Sequence, residues 1–261
     1  MLLELNLPDY GPDFPFDLPL LRGAPRVELA PVTLLVGENG SGKSTLLEAL
    51  AIACELPGAG SLDPAHDPTL RAVEPLADAL RLVWTERTRQ GLFFRAEDYF
   101  GFVKAQNRMK AEMRDDLARL KRENPELHEG ELRRIAAPYS GSLAATEARY
   151  GGDLDGQSHG ESFLAFFKGR LTGRGLYLLD EPEAALSPLR QLAFMSLLKE
   201  AAGRGAQMVL ATHAPILMAI PDALIYEIRD GRLEPTAYDD LESVRTMREF
   251  LSAPERFTRH L

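Results

Sequence analysis

Two stretches of this 261-residue chain carry residue types suited to phosphate chemistry. The first is Gly37-Glu38-Asn39-Gly40-Ser41-Gly42-Lys43-Ser44, with the spacing G-x-x-x-x-G-K-[ST]. Its glycines let the backbone wrap so tightly that successive N–H groups face an anion. Asn39, Gly40, Ser41 and Gly42 form the cradle, and Lys43 reaches β- and γ-phosphate oxygens. The Ser44 hydroxyl is a ligand for Mg²⁺, and Thr45 a contact for the α-phosphate. The second stretch, Leu176-Tyr177-Leu178-Leu179-Asp180-Glu181, is an apolar run that ends in two carboxylates. Asp180 is placed to hold Mg²⁺, and Glu181 to take a proton from an attacking water. Together the two stretches predict binding of ATP with magnesium and hydrolysis of its terminal phosphate.

Such residues act only when strands and helices hold them. Residues 26–36 read as a strand that runs into the glycine-rich turn, and 44–55 as the helix that follows. The nearly all-apolar 175–180 predicts a buried parallel strand. A helix over 187–202 and strands over 206–211 and 223–228 continue the alternation, and Asp230-Gly231 marks a turn into the C-terminal tail. The expected fold is therefore α/β: a P-loop nucleotide-binding fold with a mainly parallel sheet flanked by helices and a small antiparallel part. Residues 79–87 and 91–95 read as a β-hairpin, and 56–75 as a surface connection. Charges at close spacing predict an exposed helix over 102–124, with a second over 129–137. A glycine-rich loop over 138–160 leads to a helix at 161–171, so a helical lobe over roughly 98–160 is inserted in one domain.

Composition narrows the function. The net charge of −9 argues against nucleic-acid binding by the whole surface. The single cysteine, Cys54, has no internal partner, which suits the cytoplasm. The first residues lack the basic and apolar regions of a secretory leader, and no apolar run spans a bilayer, so no direct membrane insertion is expected.

Across about residues 26–228 the ordered motifs resemble the ABC ATPase superfamily. Asp180-Glu181-Pro182-Glu183-Ala184-Ala185-Leu186-Ser187 is similar to its Walker B and D-loop, in a form nearer the soluble chromosome-maintenance and DNA-repair branch than transporter subunits. His213, in Thr212-His213-Ala214-Pro215, resembles the family's switch histidine at the γ-phosphate. Ser158-His159-Gly160-Glu161-Ser162 resembles its signature motif, with His159 in place of a glycine and Glu161 in place of a glutamine. Ser158, Gly160 and Glu161 are thereby implied to touch the ATP held by a partner subunit. For the Q-loop position, Glu97 follows a strand and suits a metal or water role, with Gln90 as the alternative. Of Tyr10, Phe14 and Phe16, Phe16 is the expected adenine platform.

The resemblance implies an ATP-dependent homodimer, an ATP-driven clamp acting on a protein or nucleic-acid partner. Two other readings fit the same motifs: the ATPase subunit of a membrane transporter, and an ATP-binding regulatory module with little turnover. A P-loop kinase fits less well, because it needs neither a signature segment nor a switch histidine.

Overall fold

The structure, a computed structural model, describes all residues except 24–25, 60–63, 65–66, 124–127, 129, 132–133, 136, 138–158 and 260–261. Its contacts divide the chain into two units, Met1–Ala96 with Gly173–Leu261, and Glu97–Thr172.

The first unit holds two sheets. The larger has the strand order β5-β6-β7-β3-β8-β9, built from β3 (Val32–Gly37), β5 (Gly91–Arg95), β6 (Gly175–Asp180), β7 (Ala206–Ala211), β8 (Leu224–Arg229) and β9 (Arg232–Pro235). The strands from β5 to β8 run parallel, and β9 pairs antiparallel with β8 through the Asp230-Gly231 turn. Both turn residues have positive φ, 50° and 73°, which matches a tight hairpin turn. Every residue of β6 and β7 is buried, as strands covered on both faces must be. The smaller sheet is antiparallel, in the order β2-β1-β4, with β1 (Leu2–Asn6), β2 (Arg26–Glu28) and β4 (Arg81–Trp84).

Helix α1 (Lys43–Ala53) links the sheets: its Leu46, Leu47 and Leu50 share one apolar core with Leu2 and Leu5 of β1 and with Leu176 and Leu178 of β6. Gln207, a buried amide in β7, ties the sheets by hydrogen bonds. Its Oε1 accepts from the Leu2 N–H at 2.8 Å and its Nε2 donates to the Leu2 carbonyl at 2.6 Å. A buried amide satisfied on both sides adds specificity of register without an unpaired polar group.

Several expectations need correction. The hairpin over 79–95 does not form: β4 pairs with β1, and β5 with β6. The physical reason is burial. Residues 81–84 alternate between exposed and half-buried, as in a sheet with one wet face, whereas Leu92, Phe93 and Phe94 are buried in a row. The single strand expected over 26–36 is two strands in different sheets, broken at Ala30-Pro31. Residues 56–75 are not merely a surface connection, because Leu70 and Val73 of the 3₁₀ turn Pro68–Val73 join the core, as does Leu76 of α2 (Glu74–Ala79). The C-terminal tail forms α7 (Glu242–Ser252) and α8 (Pro254–Thr258) after β9. Helices α5 (Pro188–Gly203) and α6 (Pro215–Met218) lie between the strands β6, β7 and β8 in sequence.

The second unit contains α3 (Ala96–Glu123, counted from its first residue) and α4 (His159–Arg170). Tyr99 meets Phe163 and Phe166 edge-on at 5.2 and 5.5 Å between centroids, and Phe166 meets Phe167 at 5.1 Å. Such edge-to-face pairs fix helix against helix beyond their area alone. Residues 129, 132–133 and 136 of the second helix expected at 129–137, and 138–158 of the loop expected at 138–160, lie outside the described residues, and α4 begins at His159, inside that expected loop.

Gly91 opens β5 where no side chain fits. Its φ is +133°, and an added Cβ would stand 1.8 Å from the Leu176 carbonyl oxygen of the paired strand. Gly91→Ala is therefore expected to destabilise the protein by about 3 kcal/mol or more. Urea unfolding measures this, and a change under about 1 kcal/mol would contradict the close approach.

Candidate active site

The parallel register brings the ends of four strands to one edge. Arg95 lies opposite Asp180, Asp180 opposite Ala211, and Ala211 opposite Leu35 of β3, two residues before Gly37. Open α/β sheets bind ligands at this carboxyl edge.

The phosphate loop leaves β3 at Gly37 and enters α1 at Lys43. Gly42 has φ +99°, and a Cβ there would meet Leu20 Cδ2 at 2.7 Å, so glycine is required by both backbone and space. Glu38, Asn39 and Gly40 are exposed, Ser41 is buried, and Ser44 and Thr45 are half-buried. Lys43 is buried, and its Nζ donates to the carbonyls of Gly37 and Glu38, both at 2.8 Å, and to Ser41 Oγ at 3.3 Å. Burial lowers its pKa, opposed by the charges of Glu181, Asp180 and Glu183. The ammonium thus sits inside the loop on neutral acceptors that a phosphate can replace.

Ser44 Oγ donates to Asp180 Oδ1 at 3.0 Å. Burial pushes the Asp180 carboxyl up from its ordinary 3.8 to about 7, against the hydrogen bond from Ser44. Glu181 follows in the left-handed region, φ 47° and ψ 49°, with its N–H bonded to the Ala211 carbonyl at 2.9 Å. A non-glycine residue pays on the order of 1 kcal/mol for that conformation, which turns the side chain off the line of the strand. The Glu181 Oε1 stands 3.7 Å from His213 Nε2. Burial and the Lys43 charge lower the His213 pKa, against the pull of Glu181 and Glu183, so the ring is neutral near pH 7. His213 Nε2 has no hydrogen-bond partner among the described residues, and it is buried.

Lys43, Ser44, Asp180, Glu181 and His213 therefore converge, while Asn39, Gly40 and Ser41 line one cavity with His213. Gln90 does not join them. Its carbonyl accepts the Leu176 N–H at the start of β6, about 16 Å of strand away from Asp180. Glu97 belongs to the second unit, in the first turn of α3, and Gly160 and Glu161 lie in the first turn of α4. Ser158 lies outside the described residues. Phe16 packs against the core, and the Arg22 guanidinium covers Tyr10 at 4.6 Å from its centroid.

Two contributions escaped the sequence reading. Glu183 Oε1 accepts the His213 backbone N–H at 2.6 Å and so fixes the histidine loop; only the acid in E-P-E hinted at it. Arg95, the last residue of β5, is buried between Glu48 of α1 and Asp67, at 3.1 and 2.9 Å. It clamps the phosphate-loop helix to the end of β5.

The donor set suits magnesium. A hard cation of this kind takes one or two protein oxygens and completes its shell with water and substrate phosphates. Ser44 Oγ and the buried Asp180 carboxylate are such a pair. The raised Asp180 pKa has a consequence for the protein alone. The folded state holds this proton up to about pH 7, whereas the unfolded chain releases it near 3.8. Stability therefore falls as pH rises through that window, by an amount of order a few kcal/mol. Asp180→Asn is expected to raise the melting temperature at pH 8 and to leave it nearly unchanged at pH 4. Thermal unfolding without nucleotide or metal checks this; equal shifts at both pH values would contradict it.

Comparison with known proteins agrees with this chemistry. A family model described as "AAA domain, putative AbiEii toxin, Type IV TA system" matches residues 162–219, and one described as "AAA domain" matches 15–60. The thiamine import ATP-binding protein ThiQ of Cereibacter sphaeroides is 31% identical over 186 residues, covering 69% of this chain and 70% of that protein. The cobalt import ATP-binding protein CbiO of Salmonella typhimurium is 27% identical over 218 residues, covering 82% and 74%. Solved structures include an ABC-transporter ATP-binding cassette in its ADP conformation, with TM-score 0.49, 16% identity and coverage of 97% and 98%. The Smc head domain of Pyrococcus furiosus gives TM-score 0.45, 14% identity and coverage of 97% and 99%. The chain belongs to the ABC-type P-loop ATPases: it is an ATP-binding ATPase domain. No helix among the described residues is long and apolar enough to cross a membrane.

Proposed function

We propose that this ATPase hydrolyses Mg-ATP at a composite site between two copies of the chain, as an ATP-driven clamp. The observation that carries the reading is the convergence of Lys43, Ser44, Asp180, Glu181 and His213 at one sheet edge, beside a cavity lined by Asn39, Gly40, Ser41 and His213.

Lys43 exchanges the Gly37 and Glu38 carbonyls for β- and γ-phosphate oxygens. Ser44 and Asp180 would hold magnesium, which would supply positive charge to offset that of the phosphates. Glu181 orients water in line with the γ-phosphorus and accepts its proton. The water oxygen bonds to phosphorus, the bridging oxygen leaves with ADP, and the products are ADP and phosphate. Neutral His213, positioned by Glu183, meets the γ-phosphate through Nε2. Glu97 from α3 lies next in the chain after the β5 edge, and Gly160 and Glu161 with Ser158 serve the nucleotide of the other copy. Loss of the γ-phosphate removes contacts shared by both copies, so the clamp loosens.

Light scattering on Glu181→Gln tests the assembly. A doubling of molar mass only with MgATP is expected; a mass that stays monomeric while ATP binds would refute the composite site. The import proteins among the relatives favour one other reading, in which the clamp drives a membrane permease in the cell that holds this chain in its cytoplasm. Co-purification of a multi-span membrane protein with the tagged chain would select that reading over action on a soluble protein or nucleic acid.

A further inference from the structure

A cavity of about 810 Å³ opens beside the phosphate loop within the first unit. It is lined on one part by Glu38–Ser41 and His213, and on another by Met247, Phe250 and Phe257 of the C-terminal helices. That second part is built into the fold. Glu227 of β8, opposite Val36 of β3, is 5% exposed, and its Oε1 accepts the Glu242 N–H at the start of α7 at 3.0 Å. Its Oε2 accepts from Arg229 at 2.8 Å. Phe250 and Phe257 pack edge-on at 5.6 Å, yet remain 39% and 44% exposed. Apolar surface left in water costs roughly 25 cal/mol per Å², so an anchored aromatic wall beside a reactive loop calls for a cover.

A two-fold dimer must find the complementary patch on the same chain. Helix α5 offers it. Leu189 is 80% exposed and Leu192 45%, three residues apart and hence on one helix face. They follow directly on the segment whose Glu183 holds the His213 loop. Charge agrees as well. The cavity rim carries Glu38, Asp230 and Glu242 against Arg229, and the only charge within Leu189–Leu192 is Arg190.

We infer that Leu189 and Leu192 of one copy insert between the phosphate loop and helices α7–α8 of a second copy when ATP closes the dimer. This rests on the composite-site reading above and assigns the C-terminal helices to the interface. The α5 leucines then bury the aromatic wall at the γ-phosphate end of the site, so that closing on ATP and covering the wall are one event.

Crosslinking tests it directly. Cys54 is buried and its thiol is pushed up to about 12, so added cysteines report alone. Leu189→Cys and Phe250→Cys are made separately in the Glu181→Gln protein, mixed, and treated with a short bis-maleimide. A linked pair is expected from the mixture with MgATP, several-fold above either variant alone or the mixture without nucleotide. In the same background, Leu189→Asp with Leu192→Asp should weaken MgATP-dependent dimerisation at least tenfold while binding of a fluorescent ATP analogue is unchanged. If Glu181→Gln dimerises and the aspartates dimerise equally well, the inference is overturned and the composite site stands. If Glu181→Gln never dimerises, both fall.

Discussion

Glu181→Gln lowers ATP turnover by about 10²–10⁴-fold, the span that a positioned general base contributes. The amide keeps the size of the side chain and does not alter the backbone, which already holds φ 47° at this position through the N–H bond to Ala211. What it loses is the ability to take a proton. Nucleotide affinity should therefore change little, since Lys43, Ser44 and Asp180 are untouched. Single-turnover hydrolysis with saturating MgATP separates the two quantities. A loss below tenfold would move the base elsewhere, with His213 the first candidate, because its Nε2 lies 3.7 Å from Glu181 Oε1 and burial keeps the ring neutral at working pH. Adding His213→Ala to Glu181→Gln should cost far less than its effect alone, since two groups serving one water do not act additively.

Lys43→Ala is expected to cost about 10²–10³ in turnover, as loss of a preorganised charge at a phosphoryl centre does, and to weaken ATP binding as well. Without nucleotide the same change should be nearly silent in stability. The buried ammonium gives up solvation to sit on the Gly37 and Glu38 carbonyls, and removing it relieves that cost while it frees two acceptors, at half-buried Gly37 and exposed Glu38. Lys43→Arg should not rescue, because a planar guanidinium does not match the Gly37 and Glu38 carbonyls and Ser41 Oγ that converge on the ammonium. Steady-state kinetics and calorimetric ATP titration of the three proteins check the pattern. Retained binding in Lys43→Ala would show that the loop backbone alone holds the phosphates.

Local chemistry was legible in residue order. Gly42 followed by a lysine and a serine at the start of a helix, and two acids at the end of an apolar run, leave few alternatives, because phosphate binding needs backbone N–H groups and a cation at short range. The buried strands 175–180 and 206–211 were equally plain, since a strand covered on both faces must be apolar throughout. The pairing of strands was not. Leu82 and Leu92 both read as strand, and a three-residue gap fits a hairpin; only the burial of Leu92–Phe94 against β6 sends them to different sheets. Long-range polar partners were also hidden. Gln207 with Leu2, Tyr226 with Glu28, Arg95 with Glu48 and Asp67, and Glu183 with His213 join residues 28 to 205 positions apart, and no local spacing signals them. Residue types and their order determined that this chain binds and splits ATP. Tertiary structure decided which edge gathers the groups, because strand register places Arg95, Asp180 and Ala211 in line, and it decided that the C-terminal helices stand beside the phosphate loop, because Glu227 caps α7 there.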